Sequence, residues 1–223
     1  MDDVTWIDLL DPGPDEVTEA LQGDVHSTVI RRLLAAPRHS DDPRPRLETQ
    51  GTHLFGVLVV PVIPKPGDRV INMEVDLVST ADRLITVRKT PPNCEPLSFD
   101  DVRTSALAEG DSAGMCLYRV FDEVAERYLS LIDAFDDSID ELEDQVSTWA
   151  PTAVRERISE LRHDILHVRR TLAPTRDAAR AVLDDRCELP DTNLFPRDVE
   201  LHFADAYDKL LRATDDLDLS RDL

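Results

Sequence analysis

Seven of the twelve residues from Asp133 to Asp144 are acidic (Asp133, Asp136, Asp137, Asp140, Glu141, Glu143 and Asp144), and none is basic. On a helix, Asp133, Asp137, Asp140, Glu141 and Asp144 fall at i, i+4, i+7, i+8 and i+11, one stripe opposite an apolar face. Carboxylate oxygens at this density attract hard divalent cations such as Mg2+ or Ca2+. Two readings stand: a solvated polar face, or a surface that concentrates cations diffusely without a fixed cage.

Other clusters carry related chemistry. The stretch after Pro151 holds Arg155, Arg157, Arg162, Arg169, Arg170, Arg176, Arg180 and Arg186. An acidic helix followed by an arginine-rich one suggests contact between the two or with a neighbouring subunit. A single exposed pair is worth only about 0–1 kcal/mol, so such charges set register more than stability. Asp205, Asp208, Asp215, Asp216, Asp218 and Asp222 decorate the last stretch, with Asp208, Asp215 and Asp222 seven apart on one face. In a symmetric bundle they would form acidic rings that bind divalent cations; otherwise they are an exposed polar face. His163 and His167 stand at i, i+4, a Zn2+-chelating spacing, but the zincin glutamate and an obvious third ligand are missing. The structural reading is preferred there.

Enzymatic signatures are poor. Glycine is 7 of 223 residues, and the chain has no GxGxxG, GxxxxGK[ST] or GxSxG and no plausible Cys/His nucleophile pair. The reading is that the protein is not an enzyme.

The formal net charge of -21 argues against nucleic acid, whose phosphates need a basic footprint, and against docking on anionic lipid. Cys94, Cys116 and Cys187 are odd in number and widely spaced, neither a disulfide framework nor a metal clip, which points to a reducing compartment. Met1-Asp2-Asp3 is unlike a signal peptide. The longest apolar stretch, 54–63, is interrupted by Gly56 and Pro61 and is far short of the ~20 residues of a membrane span, so a soluble chain is expected.

The elements that must position these residues fall into two unlike parts, 1–111 and 112–223. In the first, Thr5 to Leu10 predicts a strand, and Pro14 with Asp15 and Glu16 opens a helix. Val25 to Ala36 predicts a second helix ended by Pro37, and Pro37 to Pro45 a loop. Strands are expected over 53–63, 72–79 and 83–88, the last two joined by a hairpin at Thr80-Ala81-Asp82. Ser98 is the candidate N-cap of a short helix reaching Glu109. In the second part, apolar residues from Leu117 to Trp149 step by threes and fours, predicting one helix of about 35 residues that Pro151 breaks. Val154, Ile158, Leu161, Ile165, Val168 and Leu172 predict a second long helix running to about Cys187. A third starts at Pro196, and its pattern still runs at Leu223, which predicts continuation in a longer protein. The expected class is α+β: a small α/β domain with a mixed sheet, then three long helices, a helical hairpin plus a stalk helix.

These residues, in order, resemble the cytoplasmic part of the CorA family of magnesium channels. The likeness runs from Thr5-Trp6-Ile7-Asp8 through His26, Val29 to Leu34, Arg44-Pro45-Arg46-Leu47-Glu48, Leu54 to Leu58, Leu84 to Val87 and Tyr128. Its most specific piece is Ile132 to Glu143. Leu161-Arg162, Leu172 to Asp177, Ala206-Tyr207-Asp208 and Ser220 to Leu223 complete it. The resemblance implies a homopentameric funnel in the inner or plasma membrane, with this part on the cytoplasmic side and the third helix as the stalk entering the membrane. It implies transport of Mg2+, with Co2+, Ni2+ or Zn2+ as relatives' ions, and Mg2+ bridging neighbouring subunits to hold the channel shut. The alternative is a soluble helical scaffold or cation sensor without a pore.

The chain departs from the family pattern. The Gly-Met-Asn loop that marks the family would lie beyond Leu223. At the interfacial cation site the family's acidic pair is Arg31 and Arg32 here, its stalk partner is kept as Asp208, and a further acidic position before Tyr128 is Arg127. The loop before Arg44 is longer and contains Asp41 and Asp42. The candidate metal residues are therefore Asp208, Asp41 and Asp42, and the candidate interface residues Arg31, Arg32 and Arg127. Either Arg31 or Arg32 replaces the bridging Mg2+ and pairs with Asp208 of a neighbour, since a guanidinium is permanently charged and bidentate, or Arg32 faces solvent and the site is lost.

Overall fold

The computed structural model describes residues 4–21, 27–36, 44–65 and 67–220. His26, Asp41, Asp42 and Asp222 lie outside the described residues. The strands are β1 (Thr5–Leu10), β2 (Arg46–Gln50), β3 (His53–Val62), β4 (Ile71–Ser79) and β5 (Arg83–Lys89). The helices are α1 (Pro14–Leu21), α2 (Ser27–Leu33), α3 (Asp100–Glu109), α4 (Ala113–Gln145), α5 (Pro151–Leu183) and α6 (Arg197–Leu219).

The sheet is mixed, in the order β1-β5-β4-β3-β2. β1 runs parallel to β5, with Asp8 opposite Thr86, and the other pairs are antiparallel. β3 is buried on both faces over nearly its whole length, as its unbroken apolar run requires. On one face Phe55, Val57, Val78, Ile85 and Val87 pack under Val17 of α1 and Val29 and Leu33 of α2. On the other, Trp6, Leu54, Leu58, Val60 and Leu84 join one continuous core with the apolar stripes of the long helices. Gly56 sits at the centre of that face, where a Cβ would meet the tips of the Leu47 and Leu77 side chains and force them to shift.

α4 and α5 are 33 residues each, or about 50 Å at ~1.5 Å per residue. The turn between them reverses the chain, and α6 packs against both. Tyr118 meets His202, Lys209 meets Asp122, and Ser220 meets Asp136. Pairs that rise together along both helices mean that α6 runs parallel to α4, and therefore antiparallel to α5. Tyr128 of α4 ties this assembly to the sheet: its hydroxyl donates to the Val59 carbonyl at 3.1 Å and lies 3.4 Å from Thr175 Oγ1 of α5.

The observed elements refine the expected ones. β2 is a strand that the polar text Arg-Leu-Glu-Thr-Gln did not announce; Leu47 is its buried residue. α2 is described from Ser27 and ends at Leu33, three residues before Ala36; Val25 lies outside the described residues. α4 starts at Ala113, one turn before the apolar stripe, because Ser112 caps it by accepting from Met115 N. It ends at Gln145, before Pro151, with Gln145 O accepting from both Thr148 N and Trp149 N. α5 stops at Leu183, short of Cys187, where Asp185 takes a left-handed φ of 55°. It also runs through Pro174, which supplies no N–H to the preceding turn. The helix before Glu109 starts at Asp100; Ser98 Oγ accepts from Asp100 N at 3.1 Å, so it acts just outside the first turn.

Candidate functional site

Asp208 lies on the outer face of α6. Val199, Phe203, Ala206, Leu210, Ala213 and Leu217 are the buried stripe of that helix, which turns Asp205 and Asp208 to solvent. Asp205, Asp208, Lys209 and Arg212 line an open groove of about 640 Å³ together with Tyr118 and Leu211. Asp208 has no ion-pair partner among the described residues. Its neighbour Lys209 is held inward at 2.7 Å from Asp122 Oδ1, and also pairs with Glu126. Burial pulls the Lys209 ammonium down, but the hydrogen bonds to those carboxylates outweigh it and hold it at about 12. The same surroundings push the Tyr118 phenol up, through burial first and the Asp122 charge second. The groove floor is thus a permanent cation bracketed by acids, with Asp205 and Asp208 left without an ion pair among the described residues.

Arg31 and Arg32 sit on the last turn of α2, on the sheet face opposite the long helices. They differ in attachment. The Arg32 guanidinium lies 5.6 Å from the centre of the Phe55 ring, a cation–π contact, and its carbonyl accepts from Lys89 Nζ at 2.9 Å. Arg31 is exposed and forms no ion pair among the described residues. Arg127 is engaged along its own helix, 2.8 Å from Glu123. Within one chain, then, Asp208 does not meet Arg31, Arg32 or Arg127.

The acidic stripe on α4 is solvent-facing at every one of its seven carboxylates. Among the described residues no group of three or more His, Cys, Asp or Glu side chains is placed to hold a metal ion. Nor does the arginine-rich helix meet the stripe. The described ion pairs of α5 arginines go to Glu160, Asp177 and Asp184 nearby in the chain and, for Arg169, to Asp218 of α6.

Two buried charge networks escaped the sequence reading. On the long-helix face of the sheet, Trp6 Nε1 donates to Thr86 Oγ1 at 3.1 Å, Thr86 Oγ1 donates to Asp8 Oδ1 at 2.6 Å, and Arg88 closes the set at 2.7 Å from Asp8 Oδ2. On the α2 face, Lys89 pairs with Glu74 and lies 2.7 Å from Asp76 Oδ2. The latter contact is an ion pair, and Asp76 Oδ2 has no hydrogen-bond partner among the described residues. The signal available was the register of a hairpin: charged residues alternating within two apolar strands must either face solvent or meet one another.

A five-stranded mixed sheet, covered by two short helices on one face and carried on three long helices by the other, defines an α+β module. The family model described as CorA-like Mg2+ transporter protein matches residues 1–223, and the chain belongs to that family. It is 24% identical to the putative metal ion transporter YfjQ of Bacillus subtilis, over 98% of this chain and 64% of that protein. It is 22% identical to the cobalt/magnesium transport protein CorA of Thermotoga maritima, over 98% of this chain and 60% of that protein. The chain therefore spans a little under two thirds of these relatives. Its fold is that of the soluble domain of CorA from Methanocaldococcus jannaschii, with a TM-score of 0.73 at 19% identity, covering 100% of this chain and 88% of that one. Among the described residues, no helix is long and apolar enough to cross a membrane.

Proposed function

We propose that this chain is the cytoplasmic regulatory part of a CorA-like divalent-cation channel, whose complete form is a membrane-bound homo-oligomer, a pentamer by analogy with the resemblance described above. The cargo is Mg2+, with Co2+, Ni2+ or Zn2+ as accepted relatives. The observation that carries the reading is the match of the family model over residues 1–223. The direction of α6 supports it: α6 runs parallel to α4 and its exposed carboxylates face outward, as a stalk ringed by copies of itself requires. The 1–111 part then forms the mouth and 112–223 the stalk assembly.

The proposal extends to the interface. Asp208, open in its groove, faces a neighbouring subunit, and a cation of that neighbour covers it. Arg31 is the better candidate than Arg32, since Arg32 is already spent on Phe55 and, through its carbonyl, on Lys89. Arg127 is similarly held by Glu123. A guanidinium there does permanently what a bridging Mg2+ does conditionally, so closure at this position would not depend on Mg2+. Asp41 and Asp42, which lie outside the described residues, are kept as candidate metal ligands on the sequence alone.

The gene beyond codon 223 tests the reading at once. Two apolar stretches of about 20 residues each with Gly-Met-Asn between them support it. A stop codon directly after codon 223 removes transport and leaves a pore-less scaffold or sensor in its place.

A further inference from the structure

Beneath α2 the sheet holds three ionisable side chains in an apolar setting. Asp76 is 1% exposed and Lys89 5%. In the ladder Asp76 lies between Val57 of β3 and Val87 of β5, which belong to the same apolar cluster as Val29 and Leu33 of α2. The Lys89 ammonium donates to Glu74 Oε1 and to the Arg32 carbonyl at the end of α2, and lies 2.7 Å from Asp76 Oδ2, which accepts no hydrogen bond from it. Two carboxylates share one ammonium, so the ionised cluster carries a net charge of about -1 inside a low-dielectric layer.

We propose that α2 is a proton-linked latch, docked over the Glu74–Asp76–Lys89 cluster while Asp76 holds a proton and released as Asp76 ionises. The proposal is independent of the channel reading; it concerns the helix that carries Arg31 and Arg32, whatever those arginines meet.

The reasoning is linkage. Burial is the main force raising the Asp76 carboxyl, from 3.8 to about 7, the Glu74 charge adds to it, and Lys89 and then Arg32 work against it. The charged groups around Asp76 are few. Its own strand supplies Glu74, β5 supplies Lys89, and α2 supplies Arg32. β3 presents Val57 and Phe55, and beyond Phe55 the β2 residue Arg46 is paired with Glu48 at 3.0 Å. Lifting α2 returns Asp76 to water and its carboxyl toward the ordinary range. The docked state therefore binds the proton more tightly than the open one, and rising pH must favour the open one. The effect is one proton over the window from about 4 to about 7, which is tenfold in the opening equilibrium per pH unit, flattening above 7. The negative end of the helix points the same way, since a net anionic cluster under a helix C-terminus is unfavourable.

The experiment is native-state hydrogen exchange on the full chain between pH 5 and 8, corrected for the intrinsic pH dependence of amide exchange. Protection of the Arg31–Leu34 amides, whose acceptors lie within α2, is expected to fall about tenfold per pH unit from pH 5 to about 6.5 and to level off above 7. Amides in the buried half of α6 should not follow. In Asp76→Asn, which keeps the shape but cannot ionise, the α2 profile should be flat. A flat wild-type profile, or the same slope in Asp76→Asn, overturns the proposal. Should Asp76→Asn fail to fold, the carboxyl carbon of Asp76 in the wild type decides: a midpoint raised above the ordinary carboxylate range and coincident with the pH at which α2 protection levels off supports the latch, and an ordinary midpoint, or one that does not coincide, refutes it.

Discussion

Lys209 Nζ lies 2.7 Å from Asp122 Oδ1, while Asp208, one position earlier in the chain, is turned into an open groove. One helical step separates a charge that holds the fold from a charge that does nothing for it. Asp208→Ala should therefore leave urea unfolding of this chain within about 0.5 kcal/mol of wild type. Lys209→Ala should cost about 1 kcal/mol, the lower side of a charge-assisted pair because both partners are partly solvated. A large loss in Asp208→Ala would give that carboxylate an intramolecular role and weaken its assignment to an interface.

Thr86 is a relay. Its hydroxyl accepts from Trp6 Nε1 and donates to Asp8, so Thr86→Val leaves a buried indole N–H without a partner and takes a hydrogen bond from a buried carboxylate. The expected destabilisation is roughly 1–3 kcal/mol, read from the shift of the urea midpoint at unchanged slope. An unshifted midpoint would mean that water replaces the hydroxyl.

Gly114 sits in the first turn of α4, under the 184–196 connection. A Cβ there would overlap the backbone carbonyl oxygen of Leu194, which unlike a side-chain tip has no rotamer to yield. Gly114→Ala gains helix propensity yet should lose about 1–3 kcal/mol through overpacking. A stabilised variant would show that the connection moves aside freely.

The three cysteines should react in a set order. Burial pushes the Cys116 and Cys187 thiols up to about 11, with the nearby Asp111 charge adding to the effect at Cys116, so both stay protonated at pH 8 as well as covered. Cys94 is half-exposed in a loop. Iodoacetamide at pH 8 should label Cys94 alone in the native chain and all three after unfolding, as mass spectrometry of the peptides will show.

Where one face of an element is buried, its sequence was plain. The stripes from Leu117 to Trp149 and from Val154 to Leu172 announced α4 and α5, and the alternation of Met73, Val75 and Leu77 with Glu74 and Asp76 announced β4. That alternation also misled. It marks Asp76 for solvent, whereas α2 covers the face on which Asp76 lies and Lys89 meets it there. β2 stayed hidden because an edge strand buries one residue, Leu47, and leaves a polar text behind. Asp208 was legible as an exposed acid from its place in the α6 repeat. That Arg31 is open while Arg32 is engaged was not legible, because it depends on Phe55 of a strand more than twenty residues away in the chain. Of the two contacts expected for the acidic stripe, with the α5 arginines or with a neighbouring subunit, the first is not among the described ion pairs of the chain, because helical periodicity tells which face is polar, not which helix lies beside it.

The central claim is that this chain serves a divalent-cation pathway, and ion flux through the complete protein tests it most directly. Full-length protein reconstituted in liposomes loaded with a Mg2+- or Co2+-sensitive dye should admit the cation in a saturable manner, well above protein-free vesicles. Folded, membrane-inserted protein that admits neither ion, nor Ni2+ or Zn2+, would contradict the account.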